Sequence, residues 1–466
     1  MIDLGRKRAR KEQTLREFER LKQEVELWSS RRQKEDKLNQ YKTQLNAIRN
    51  LVRRAADFLE AELNKINLNN PLFEFYEDCR QFDLRVVWLR KVWSFYKDKF
   101  DQRDDDQLRA LLLAADEVVW SCYQQAFRQA SAFGMAMKQR PVPLPFVEIS
   151  YSPESFPSEL VPYGLKPSET GFLQDLMNRL PIPLVSLPQS CVRAPWWLVY
   201  VGHEVGHHIQ YALADKGGFV PLFKKQIENV AKMKCGGSED VEKWGGWGKE
   251  IFADVFSVLT MGQWAVFAMV ELELQKADKM LERRAQYPAP AIRLHLLAHT
   301  ANSLGLDGTG ALRGLNIEEM MKGNPQAERD YSFVDDVVKI ALELEISPNV
   351  TLATLVDFNK DNYASAVQGW TTMLSQPNPV VPVISDPNNP RFIASAILVT
   401  WYELAVTDEE ERRILLQNLA DKALKLIVAS REPGDRTKSI NELEIPDFGR
   451  ELAEQLMTAE QQQLEI

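Results

Sequence analysis

Histidine is scarce in this 466-residue chain: there are five, all between positions 203 and 299. Cysteine is scarcer still. Cys79, Cys122, Cys191 and Cys235 stand far apart with no C-x-x-C pair, which excludes a disulfide scaffold and a thiolate zinc knuckle. Long apolar runs are missing as well. The longest charge-free stretch near the middle, Val255 to Val270, carries Ser257, Thr260 and Gln263, and it predicts a buried core helix, not a membrane span. The net charge of −9 offers no positive excess, so no nucleic-acid partner is expected. The first residues are charged where a secretory signal would be apolar, so a reducing cytoplasm is the expected compartment.

What is present is an ordinary globular mixture, 45% hydrophobic and 26% charged, long enough for two or three domains. Residues 1–66 hold 17 Lys/Arg against 11 Asp/Glu, so a basic arm of +6 precedes a body of −15. Within 1–70 helix breakers are almost absent. Leu38, Tyr41, Leu45, Ile48, Val52, Ala55, Leu59 and Ile66 recur at steps of three and four apart from the gap at Glu62, predicting a long helix or coiled-coil arm. Such an arm suits a protein partner or self-association. Whether the helix that covers this seam belongs to the same chain is left open by the pattern.

Residues 71–140 predict further helix, with the aspartates at 104–106 suited to a helix start. Pro141, Pro143 and Pro145 end it, and short strands are expected near 146–151 and 182–187, with proline and serine punctuation between them. A helix over 195–214 opens on Pro195, a favoured first-turn residue. A glycine-broken segment containing Gly245, Gly246 and Gly248 then leads into a second helix over 249–272. Residues 311–466 predict helix with proline-rich breaks at 377–390. The fold class expected is α+β, mostly helical, with a small sheet in the 71–310 portion.

The first helix carries His203-Glu204-Val205-Gly206-His207. Residues four apart on a helix share a face, so both imidazoles can reach one tetrahedral zinc while Glu204 lies toward the open position. Such a metal lowers the pKa of water to about 7, and a nearby carboxylate can take the proton. With five histidines, composition alone yields this pattern with a probability below roughly one in a hundred. A third ligand is needed, and position 213, six residues past His207, is leucine. Glu250 is the candidate, with Asp254 one turn on to fix the tautomer of a ligand histidine. Both stand among Ile251, Phe252, Ala253, Val255 and Phe256, where an unpaired carboxylate is costly. Glu228, Glu239 and Asp240 are the fallbacks.

This pair of motifs, HEVGH followed some forty residues later by Glu250-Ile251-Phe252-Ala253-Asp254, resembles the zincin metallopeptidases in their glutamate-ligand branch, the gluzincins. The likeness covers residues 182 to about 293, and the flanking regions resemble nothing recognised. It implies a zincin-like core at 71–310, one Zn2+ per chain held by His203, His207 and Glu250, and Glu204 as general base. The implied substrate is a protein or peptide. Tyr287-Pro288-Ala289-Pro290-Ala291-Ile292-Arg293 is similar to a turn that follows the glutamate helix in some gluzincins, so Arg293 or Tyr287 is expected to support the oxyanion. His295 and His299 are also one turn apart but lack an acidic partner in their motif, and His208 points off the ligand face. Two other functions fit parts of the sequence: a helical scaffold with a structural or degenerate zinc site, and a metal-dependent hydrolase of a non-peptide amide.

Overall fold

The spacing of the seam at 38–66 is realised as buried helix, but not as one long arm. In the computed structural model, residues 2–135, 137, 141–156, 180, 182–214, 219–235, 237–376, 386–404, 408–432, 436 and 448–459 are described. The chain divides into two compact units. The first comprises 1–102, 156–184 and 434–466; the second comprises 103–155 and 185–433.

In the first unit, α1 (Ile2–Arg32), α2 (Lys42–Lys65) and α3 (Leu72–Asp101) pack on one another, and the helix Phe448–Thr458 lies on α2 and α3. Every residue of the predicted seam is buried. The partner helices belong to the same chain, because apolar stripes of α1 and α3 meet it: Phe18 packs edge-on against Phe82, and Trp28 against Trp93 and Phe100. Arg32 and Trp28 both bond Asp101, with the Trp28 indole donating at 2.8 Å, so the turn after α1 is pinned to the end of α3.

The second unit is built on α4 (Asp106–Ala132), capped by the Asp105 carboxylate accepting from the Gln107 and Leu108 amides. A three-stranded sheet has the order β1-β3-β2, with β1 Leu144–Glu148, β2 Glu154–Phe156 and β3 Leu184–Pro188. The strand expected at 146–151 therefore begins earlier and ends at Glu148. Pro145 is tolerated because β1 is an edge strand, where a missing N–H leaves no neighbour unpaired. The expected punctuation at 157–179 and the proline-rich stretch at 377–385 lie outside the described residues.

The helix expected from 195 starts as a 3-10 segment, Pro195–Tyr200, and becomes α5 only at Val201–Ala214. Next come α6 (Phe219–Cys235), α7 (Ser238–Met261), α8 (Trp264–Glu273) and α9 (Pro290–Ser303). The helix expected over 249–272 thus begins eleven residues earlier and ends sooner. Gly245, Gly246 and Gly248 lie inside α7, not in a break before it. At Gly245 a Cβ would sit 2.4 Å from Glu228 of α6, so close packing offsets the helix cost of glycine. Gly262, with φ of 60°, ends α7 and divides the apolar stretch Val255–Val270 between two helices. No helix among the described residues is long and apolar enough to cross a membrane.

Candidate metal centre

Two glycines decide how near α5 comes to α7. A Cβ on Gly206, inside the histidine motif, would lie 2.9 Å from Ala253 Cα, and one on Gly202 would lie 2.8 Å from Met261 Cγ. The backbones therefore approach more closely than any side chain allows, and this brings the motif face of α5 onto the Glu250–Asp254 turn of α7. Gly206→Ala should force the helices apart and destabilise the protein by about 1–3 kcal/mol, measured by chemical denaturation. An unchanged midpoint would show that this packing is not needed.

Across that contact three side-chain atoms converge. His203 Nε2 lies 3.2 Å from His207 Nε2, and Glu250 Oε2 lies 3.3 Å from the first and 3.4 Å from the second. A tetrahedral ion with bonds of about 2.0–2.2 Å holds its ligands about 3.3–3.5 Å apart, so the triangle has the size of one face of that tetrahedron. Glu250 Oε2 is buried without a hydrogen-bond donor, as suits an oxygen whose partner is a cation. These three residues could hold one metal ion. The fallback acids are occupied elsewhere: Glu228 faces Lys224, Glu239 faces Lys243, and Asp240 pairs with Arg283 at 2.6 Å.

Behind the triangle runs a chain of buried charge. His203 Nδ1 stands 2.8 Å from Asp254 Oδ1, so with a cation at the triangle the carboxylate would hold the imidazole proton on Nδ1 and free Nε2 to ligate. Arg293 donates to Asp254 through Nε at 2.9 Å and Nη2 at 2.8 Å, and to Glu273 through Nη1 at 2.7 Å. Arg284 closes the other side of Glu273 at 2.6 Å. Asp254, Glu273 and Arg293 are all at most 4% exposed.

Comparison with known proteins supplies no precedent. No protein-family model, no curated protein and no solved structure matches the chain.

The electrostatics follow from this packing. Burial pushes the His203 pKa down, but the carboxylates of Asp254 and Glu250 outweigh it and lift the group to about 10. Burial raises Glu204, helped by the charge of Glu250 and opposed by the two histidines. Glu250 is held well below the usual carboxylate range by His207 and His203, in spite of burial. The Arg293 guanidinium likewise keeps Asp254 low although it is buried. Three carboxylates in one place thus divide into two that stay charged and one, Glu204, with raised proton affinity.

A cavity of about 300 Å³ opens beside the centre, walled by Tyr151, Tyr200, His203, Glu204, Tyr287 and Arg293. Glu204 lines it without joining the triangle of converging atoms. Tyr287 is half-buried against Arg293, whose guanidinium carbon stands 4.6 Å from its ring centre. Arg293 itself, expected to face an oxyanion, directs its donors to Asp254 and Glu273. The sequence expectation missed Glu273 entirely. Its only signal was an acid that, with Glu271, ends the otherwise apolar helix α8. His208 is buried apart from the cluster, His295 stacks on Tyr331 with ring centres 4.3 Å apart, and His299 lies 3.4 Å from Asp335.

If Asp254 fixes the His203 tautomer, Asp254→Asn should weaken metal binding by roughly 10–100-fold without abolishing it. Competition titration against a fluorescent chelator measures this, and wild-type affinity would remove Asp254 from the centre.

Proposed function

We propose that the chain is a zinc-dependent peptidase of the gluzincin kind, with His203, His207 and Glu250 as ligands and Glu204 as general base. The observation that carries this is the 3.2–3.4 Å triangle with a buried carboxylate of raised proton affinity next to it, on a cavity wall. A purely structural metal site has no use for that fourth acid at its mouth. Two imidazoles and one carboxylate leave a net charge that suits a divalent cation and one open position, the donor set of hydrolytic zinc centres.

Zinc there would polarise a carbonyl and acidify water, supplying electrophile and nucleophile together. The chain's residues do the rest. Glu204 takes the proton of the attacking water and returns it to the departing amine, so its carboxylate must be unprotonated at the start of each turnover. Asp254 and Arg293 hold His203 in orientation, and Glu273 holds Arg293. Tyr287 is left as the donor for the negative charge that develops on the carbonyl oxygen, because Arg293 is committed elsewhere. Tyr287→Phe should lower kcat about 100-fold with little change in KM or zinc content. Turnover at the wild-type rate would place the donor at another residue.

Activity is tested by incubating the zinc-loaded protein with a proteome-derived peptide mixture and reading new termini by mass spectrometry. Cleavage should vanish with a chelator and return with added zinc. A zinc-loaded protein that cuts no peptide in the mixture would overturn the assignment.

A further inference from the structure

The second unit contains another cavity, of about 370 Å³, whose walls include neither histidine of the metal centre nor Glu250. It lies between α10 (Lys360–Ser375) and α11 (Asn389–Tyr402), which pack on each other. Its frame is anchored: the Tyr363 hydroxyl donates to the Met261 carbonyl at the end of α7, and the Ser395 hydroxyl lies between that carbonyl at 3.2 Å and the Arg391 carbonyl at 3.1 Å. One water needs only about 10–15 Å³ by a comparable measure, so there is room for a ligand of many atoms.

Arg391, in the first turn of α11, forms part of the wall and is 2% exposed. Its Nη2 donates to the Val356 carbonyl at 3.4 Å, while Nε and Nη1 have no acceptor among the described residues. A buried guanidinium with two unmet donors is expensive unless something supplies the acceptors. Two carboxylates, Asp386 and Asp357, line the same cavity, yet neither provides them. Asp386 Oδ1 accepts from the Asn388 amide at 2.8 Å, and Asp357 Oδ2 from the Gln125 amide group at 3.4 Å. One cavity thus presents a positive and a negative wall that act on each other through the field but share no direct hydrogen bond or ion pair. Leu259, Phe358 and Phe392 supply apolar surface between them.

We propose that this cavity binds a free α-amino acid with an apolar side chain, its carboxylate on Arg391 and its ammonium toward Asp386 and Asp357. A carboxylate presents two oxygens to parallel guanidinium donors and removes the unmet bonds. A simple anion would gain Arg391 but face two carboxylates, and a simple cation would face the arginine. An α-amino acid carries both charges a few bonds apart, and its side chain can lie on the apolar surface. The site is independent of the metal centre and of the peptidase assignment.

The full-length protein should be titrated calorimetrically with L-leucine and L-phenylalanine, and with leucinamide and N-acetyl-leucine, which keep only the positive or only the negative charge. At least one free amino acid should bind, with both blocked compounds at least about tenfold weaker. Arg391→Met should abolish binding. It replaces an incompletely bonded buried charge by an apolar chain, so thermal unfolding should show the fold retained. Asp386→Asn, at a less buried position, should weaken binding at least about fivefold. Equal binding of N-acetyl-leucine would make this a plain anion site, and equal binding of leucinamide a cation site; either overturns the proposal. So would the absence of heat with both amino acids at roughly 10 mM, or unchanged affinity in both variants.

Discussion

Glu204→Gln is expected to keep zinc and fold while losing turnover by roughly 100–10,000-fold, the range for removing a positioned general base. Glutamine has nearly the same shape and can accept and donate hydrogen bonds, so the cavity wall is conserved. What it cannot do is bind the proton of an attacking water. Burial already raises the proton affinity of Glu204, which brings a carboxylate nearer to the task. The effect should fall on kcat and on kcat/KM alike, because the proton is transferred only in the transition state. Zinc content by elemental analysis and thermal unfolding serve as controls. A zinc-loaded glutamine variant with wild-type kcat would exclude Glu204 as the base. If instead neither protein turned over any peptide while both held zinc, the scaffold function with a structural metal would be the better account.

The second large effect concerns the ligands themselves. His203→Ala, His207→Ala and Glu250→Ala should each weaken zinc binding by more than about 100-fold, beyond the roughly 10–100-fold set for loss of an outer partner such as Asp254. Each removes one corner of a triangle whose edges are 3.2–3.4 Å, and the alternative acids Glu228, Glu239 and Asp240 face lysine or arginine. Metal-free stability should respond differently at the three sites. Removing Glu250 leaves two imidazoles facing each other with less compensating charge, whereas His207→Ala removes one of them. Chelator competition at fixed pH measures the affinities. Full zinc occupancy in all three variants at submicromolar metal would refute the ligand set, and an order placing Asp254 above Glu250 would exchange the two carboxylates.

Helical periodicity carries local information well, and several elements were legible for that reason. The stripe Leu38 to Ile66 repeats at three and four apart from the gap at Glu62, and each of its apolar members is buried. His203 and His207 share a face because four residues make about one turn, and Glu250 and Asp254 share one likewise. A paired carboxylate within an apolar run was a sign of a partner across the interface, since burying it alone is costly. Glycine was the element that misled. Gly245, Gly246 and Gly248 resemble a loop by propensity, yet they lie in α7, where Gly245 admits the close approach of Glu228. A penalty of about 1 kcal/mol per glycine is easily outweighed by tertiary packing, which a single segment cannot reveal.

The sequence by itself determined which chemistry is available: two histidines and a glutamate at the spacing of a helical metal motif, an acidic pair downstream, and too few cysteines for another kind of site. It also determined that most of the chain is helix, because that depends on periodicity along each segment. Only the tertiary structure decided how these parts serve one another. Arg293 looked like a donor to substrate, but its three nitrogens reach Asp254 and Glu273, and it stands behind His203. Glu273 had no recognisable role until α8 and α9 were brought together around that guanidinium. The same holds for Arg391, which reads as an ordinary helix residue until burial leaves it short of acceptors beside two carboxylates. Charges far apart in sequence acquire their roles from who neutralises whom, and that is settled by which helix faces meet in space.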